Sequence, residues 1–336
     1  MNKITLAIDV MGGDGGPETT IEGVSLATKL YPDVKFKLFG DKRKSENLIL
    51  KFNLEKNIEF VHTTEFIKSN DQPVNALRKL KKSSIRLATD DVKNKISDGL
   101  VSAGNTGALM AISKFVLKTI KTIDRPAISG LMPTMKGLTV VLDLGANVEC
   151  SDDNLVQFAL MGDIFAQCVL GIKKPKIGLL NVGSEDIKGN SVVKLAHENL
   201  KRIEKQINFY GFVEGDDINK GIVDVVVTDG FSGNIALKTA EGVADLIFTY
   251  LKNAYQSSFV SKLGYILSKP ALNRFKTRID PRKYNGAVLL GLNGIIVKSH
   301  GGTDAFGFSN AISVAISLIK NNYVNTIENK LTGKHE

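Results

Sequence analysis

Short β-branched runs alternate with longer amphipathic stretches along most of the chain. The runs predict strands at Ile4–Val10, Phe36–Phe39, Ile58–His62, Leu100–Ala103, Leu138–Leu142, Lys176–Leu180, Val223–Thr228, Ala287–Leu290 and Ile295–Lys298. Several are apolar on both faces, as a central parallel strand is when helices cover both sides. The longer period predicts helices at Pro17–Leu30, Arg43–Phe52, Gly107–Lys121, Asn154–Gly171, Val192–Lys205, Gly233–Tyr255 and Asp304–Asn321. Pro17 suits a first helical turn, where its missing N–H is no loss. This rhythm predicts an α/β fold, a three-layer α/β/α sandwich with a mostly parallel sheet. No repeat or linker divides it, so residues 1–330 read as one large α/β domain.

The chain has 336 residues, 43% of them hydrophobic, which excludes disorder and leaves ample material for a core. Its longest mostly apolar runs, such as Ala287–Val297, fall short of the ~18 residues a spanning helix needs. The apolar part of Met1–Asp9 is too short for a signal peptide, so a cytoplasmic protein is expected. Two cysteines, Cys150 and Cys168, build neither a disulfide framework nor a four-thiolate metal site. With His62, His197, His300 and His335 the only histidines, neither a metal nor a cofactor is expected. The net charge of +9 favours an acidic partner: nucleic acid, anionic lipid or an acidic protein.

The strand ends carry the chemistry. Asp9-Val10-Met11-Gly12-Gly13-Asp14 follows the first strand, and Ser102-Ala103-Gly104-Asn105-Thr106-Gly107 another. Asp143-Leu144-Gly145-Ala146-Asn147, Asn181-Val182-Gly183-Ser184-Glu185, Thr228-Asp229-Gly230-Phe231-Ser232-Gly233-Asn234 and Lys298-Ser299-His300-Gly301-Gly302 complete the set. In open α/β sheets ligands bind outside the carboxyl ends of strands, and glycine lets backbone N–H groups approach an anion. The expectation is therefore that all six turns gather on one edge of the sheet as a single site. No G-x-G-x-x-G or G-x-x-x-x-G-K-[ST] pattern follows a strand, which disfavours dinucleotides and nucleoside triphosphates and leaves a small phosphate. Lys298, His300 and Lys188 are the candidate cations, Lys188 reading equally as a solvated loop residue.

At these residues the chain resembles the PlsX family of bacterial phosphate acyltransferases. The matching stretches begin with Ala7–Asp14, Ala76-Leu77-Arg78 through Ser83-Ser84, Val101–Ala108 and Val141–Asn147. They continue with Leu179–Gly183, Asp229–Asn234, Tyr284–Ala287 and Val297–Gly301, so order and spacing hold over about residues 4 to 320. Ser184 departs from the family, whose members often carry a second acid before Glu185.

The resemblance implies a fold like that of the isocitrate/isopropylmalate dehydrogenases and phosphotransacetylases, with dimers formed through helices. The implied activity is transfer of a fatty acyl group from acyl carrier protein to inorganic phosphate. The acyl phosphate product then feeds a membrane glycerol-3-phosphate acyltransferase in phospholipid synthesis. Acyl carrier protein and an anionic membrane surface are then the acidic partners, nucleic acid is not, and peripheral membrane association is implied.

Because phosphate is itself the nucleophile, the protein must position it against the thioester carbonyl and stabilise the oxyanion. On this reading Lys188, Lys298 and His300 carry phosphate charge, and His300 can also shuttle a proton. The Gly-Asn turns at Asn105, Asn147 and Asn234 are expected to offer backbone and amide donors. Asp9, Gly12, Gly13, Asp14, Ser102, Gly104, Thr106, Asn181, Asp229, Ser232 and Gly233 complete the binding set, Asp9 and Asp229 orienting donors or simply capping turns. The covalent alternative would use Cys150, since Cys168 lies in a helical apolar stretch.

Residues 252–283 hold eight basic residues, among them Lys252, Lys262 and Arg274, against the single acid Asp280. Phe259, Leu263, Ile266 and Leu267 fall on one helical face, which predicts a basic amphipathic hairpin for an anionic membrane, the carrier protein or a dimer contact. Two rival readings remain, a dehydrogenase on the related fold and a basic scaffold without activity. The first lacks a nucleotide fingerprint, and the second leaves the polar strand ends without a purpose.

Overall fold

The computed structural model describes residues 3–332; Met1, Asn2 and Gly333–Glu336, with His335 and the first two residues of the expected leader-free start, lie outside them. The first half runs β1 (Thr5–Asp9), α1 (Gly16–Leu30), β2 (Lys35–Gly40), α2 (Lys42–Lys51), β3 (Ile58–His62), α3 (Pro73–Lys79), α4 (Ser84–Lys93), β4 (Gly99–Ser102) and α5 (Thr106–Leu117). The second begins with β5 (Ala127–Pro133), β6 (Leu138–Leu142), α6 (Asp152–Leu170), β7 (Lys176–Leu180), α7 (Ser191–Arg202), β8 (Asn208–Val213), α8 (Gly215–Lys220) and β9 (Val225–Val227). It closes with α9 (Gly230–Gln256), α10 (Phe259–Arg278), β10 (Ala287–Leu290), β11 (Ile295–Lys298), α11 (Ala305–Lys320) and α12 (Tyr323–Thr332).

All the predicted strands and helices form. Two strands and four helices escaped the pattern: β5, β8, α3, α4, α8 and α12. The strand β5 is broken by Gly130 and ends on Pro133, and β8 is an edge strand interrupted by Gly211, so neither shows a clean alternation. The helix pair also starts earlier than expected, occupying Gly230–Arg278 rather than 252–283.

The strands form one sheet in the order β3-β2-β1-β4-β11-β10-β5-β6-β9-β7-β8. Its left part, β3 to β11, is parallel, and so is its right part, β6 to β8. Between them β10 runs antiparallel to β11 and to β5, and β5 antiparallel to β6. These three reversals leave β6, β9 and β7 pointing opposite to β1, β4 and β11.

Alternation along the strands divides the core between two faces. One face carries a continuous core across the sheet, with Leu6 and Ile8 of β1 and Val225 and Val227 of β9 packed under α1, α6, α7, α11 and α12. The other carries two separate clusters. Ala7 and Leu100 pack with α4 and α5, whereas Val141 and Val226 pack with α8 and the first turns of α9.

Candidate active site

In an open α/β sheet a crevice opens where helices from two neighbouring strands leave to opposite faces. This sheet has two such places. After β1 the chain enters α1 on the continuous-core face, and after its neighbour β4 it enters α5 on the other. After β6 it enters α6 on the continuous-core face, and after its neighbour β9 it enters α9 on the opposite one. Because β6 and β9 run against β1 and β4, the two crevices open at opposite edges. A five-residue strand separates the edges by about 16 Å.

This corrects the single-rim expectation. Asp9, Gly12, Gly13, Asp14, Ser102, Gly104, Asn105, Thr106, Lys298 and His300 gather at the first crevice. Asn147, Asn181, Lys188, Asp229, Ser232, Gly233 and Asn234 lie at the other edge. Lys188 is therefore not brought beside Lys298 and His300 within one chain. The cause is β10 and β5: a hydrophobic run announces a strand but not its direction.

The first crevice is built around a buried carboxylate. Asp9 accepts the Ser102 hydroxyl at 2.7 Å and the Met11 N–H at 3.3 Å. Ser102 accepts in turn the Gly104 N–H at 3.0 Å. Burial pushes the Asp9 carboxyl above its ordinary range, against the opposing pull of Ser102. Gly12 is obligatory here, since a Cβ would lie 2.5 Å from the Gly104 nitrogen and 2.6 Å from the Asp9 carboxylate. Asp14 donates its backbone N–H to the Gly301 carbonyl at 2.9 Å, tying the glycine loop to the turn after β11.

Lys298 ends β11 beside this loop and is only 9% exposed. Its ammonium donates to the carbonyls of Ala103 and Ser299, which leaves one of its three N–H groups uncommitted. Burial pushes its pKa down to about 8, while the nearby charges of Asp9 and Asp14 hold it up. His300 is exposed; its Nδ1 accepts the Gly302 N–H at 3.2 Å, so Nε2 is the nitrogen left to face solvent. Asn285, absent from the predicted set, accepts the His300 N–H at 2.9 Å and donates to the Ser299 hydroxyl at 2.7 Å.

The asparagine amides are not free donors, a second correction. Asn105 caps α5 through Ala108 and donates to the carbonyls of Ser69 and Asp71, at 2.9 and 3.0 Å. Asn147 donates to Pro126 and Asp143, Asn234 to Leu144, and Asn181 to Gly183 and Lys188. Asp229 likewise caps α9, accepting both the N–H and the hydroxyl of Ser232. These side chains shape loops. What they leave for a ligand is backbone N–H at helix starts.

The second crevice centres on Asp143, a residue absent from the predicted site set. Its buried carboxylate accepts the N–H groups of Ile128, Gly145, Ala146 and Asn147 and the Asn147 amide, at 2.7–3.1 Å. Burial still pushes its pKa up. The turns after β6 and β9 knit together, the Gly230 N–H donating to the Asn147 carbonyl at 2.7 Å. Nothing in a lone aspartate among small residues signals that fivefold role. Among the described residues no group of three or more histidines, cysteines or carboxylates is placed to hold a metal ion.

A family model described as a fatty acid synthesis protein matches residues 4–326. A phosphate acyltransferase of Paramagnetospirillum magneticum is 54% identical over 321 residues, spanning 95% of this chain and 92% of its own. The chain belongs to the phosphate acyltransferase family. Another member, from Rhodospirillum rubrum, is 49% identical over 331 residues, 98% of this chain and 95% of that protein. The fold expectation holds as well. A phosphotransacetylase from Streptococcus pyogenes superposes with a TM-score of 0.64 at 17% identity, covering 95% of both chains. EutD phosphotransacetylase from Staphylococcus aureus gives 0.59 at 17% identity over 94% of both. At that identity the likeness is one of fold, and it sets the phosphate acyltransferases on an α/β frame with a mostly parallel sheet.

Proposed function

We propose that this chain moves a fatty acyl group from acyl carrier protein to inorganic phosphate at the β1–β4–β11 crevice, releasing acyl phosphate and the free carrier. That it is a phosphate acyltransferase follows from its family. The observation supporting the crevice is the buried ammonium of Lys298, with one N–H uncommitted, beside the glycine loop and His300.

In this reading Lys298 binds a phosphate oxygen, and the helix-start N–H groups and His300 take the rest of its charge. A fixed cation in a dry crevice attracts a dianion more strongly than one in water. Asp9 acts indirectly, holding Ser102 and the loop while its charge keeps the Lys298 proton in place. Phosphate attacks the thioester carbonyl, the oxyanion gathers the same donors, and the thiolate departs as a good leaving group. No enzyme nucleophile is required.

The acyl phosphate would then pass to a membrane acyltransferase, with this protein working as a homodimer held loosely at an anionic membrane. Among the described residues no helix is long and apolar enough to cross a membrane. The deciding experiment incubates the protein with acylated carrier protein, with and without phosphate. Acyl phosphate appearing only with phosphate supports the reading, and thiol release without phosphate contradicts it.

A further inference from the structure

The outer face of α10 changes character along its length. Its inner face packs on α9 through Phe275 against Phe248 and Tyr265 against Tyr255, with ring centroids 6.2 and 5.4 Å apart. The opposite face is apolar at its start, where Leu263 and Leu267 are 51% and 76% exposed. Arg274 and Arg278 follow those two leucines by eleven residues each, three helical turns, and so lie directly below them on the same face. The leucines and the arginines below them are about 16 Å apart along the helix.

The basic end is the one next to the site. Arg278 donates to the Met135 carbonyl in the β5–β6 turn, which also carries exposed Lys136. The Tyr284 hydroxyl donates to the Arg278 carbonyl at 2.6 Å, and the next residue, Asn285, holds the His300 N–H. Of the cations here, Arg282 is neutralised by Asp280 and Asp304. Arg274, Lys276 and Lys283 have no acidic partner among the described residues and are exposed.

We propose that this basic base of the hairpin, Arg274, Arg278 and Lys283 with Lys136, is the docking surface for the acidic carrier protein. The inference rests on the carrier-dependent reading above. Two observations choose the carrier over a lipid surface for these residues. An acidic protein seated here presents its thioester arm to the crevice one short turn away. A membrane held by the apolar end meets the hairpin about 16 Å farther along the helix from that crevice than these cations. Unpaired rim cations act by steering, so their contribution falls with salt.

The test is the KM for acylated carrier protein in wild type and in an Arg274→Glu/Lys283→Glu variant, across a salt series. The expected result is a KM raised about tenfold at low salt, with kcat at saturation within about twofold. The wild-type KM should climb with salt more steeply than that of the variant. A carrier KM unmoved by the double substitution overturns the docking surface. So does a variant whose only defect is lost binding to anionic phosphatidylglycerol vesicles, which would give the base to the membrane. Wild type with a small acyl-pantetheine thioester keeps the two levels apart. If neither thioester yields acyl phosphate, the underlying function falls, whereas a normal yield with an unmoved carrier KM sinks the surface alone.

Discussion

Ser102 donates its hydroxyl to the buried carboxylate of Asp9 at 2.7 Å, joining neighbouring strands at the floor of the crevice. The same oxygen accepts the Gly104 N–H, so one hydroxyl orders both the acid and the loop that starts α5. Ser102→Ala removes a donor from Asp9 and an acceptor from Gly104 in a place water does not reach. A loss of about 1–3 kcal/mol in urea unfolding is expected. A midpoint equal to wild type would show that neither bond matters.

Lys298 is held in the crevice at the expense of stability. Its folded pKa of about 8 lies below the ordinary 10.5. Between those values the unfolded chain keeps a proton that the folded chain has lost, so this residue makes stability rise with pH there. Below about 8 the penalty is present in full, roughly 3 kcal/mol from the shift itself. Lys298→Met should therefore raise the melting temperature at pH 7, by an amount equivalent to about 1–3 kcal/mol once the lost carbonyl bonds are set against it. Acyl phosphate formation should nearly vanish. In wild type the KM for phosphate should rise above about pH 8 as the ammonium discharges. A variant that is less stable and still active contradicts the assignment.

Asp143 predicts the opposite pattern, since its five bonds hold the fold together rather than a ligand. Asp143→Ala leaves buried N–H groups without an acceptor and should cost about 3–5 kcal/mol by denaturant titration. Asp143→Asn keeps one acceptor oxygen and should lose less. Equal losses would mean the charge, not the bonding, is what counts.

Cys150 lies beside Asp143, and burial with that negative neighbour pushes its pKa up to about 11. At neutral pH only about one thiol in ten thousand is then ionised, which disfavours a covalent acyl-enzyme. Turnover in Cys150→Ala should stay within about twofold of wild type, and steady-state patterns should show a ternary complex. Ping-pong kinetics would restore the thiol as nucleophile.

Much of this protein was legible in its sequence because the relevant physics is local. Mostly apolar, β-branched runs such as Leu138–Leu142 bury both faces, so they mark central strands wherever they end up. Turn residues at helix starts, Asn105 and Asp229 among them, are readable as polar strand ends because each satisfies N–H groups within three residues of itself. Strand direction is different. Whether β6 runs with β4 or against it depends on the pairing of β5, its hairpin partner, with β10, about 160 residues away in the chain. Those reversals split six similar turns between two edges and parted Lys188 from Lys298. The division of roles was also a tertiary matter. A buried carboxylate becomes a loop organiser at Asp143, and a lysine becomes a weakened cation at Lys298, only through what packs around each. Alternation and turn chemistry belong to neighbours in sequence, whereas burial and strand orientation belong to neighbours in space.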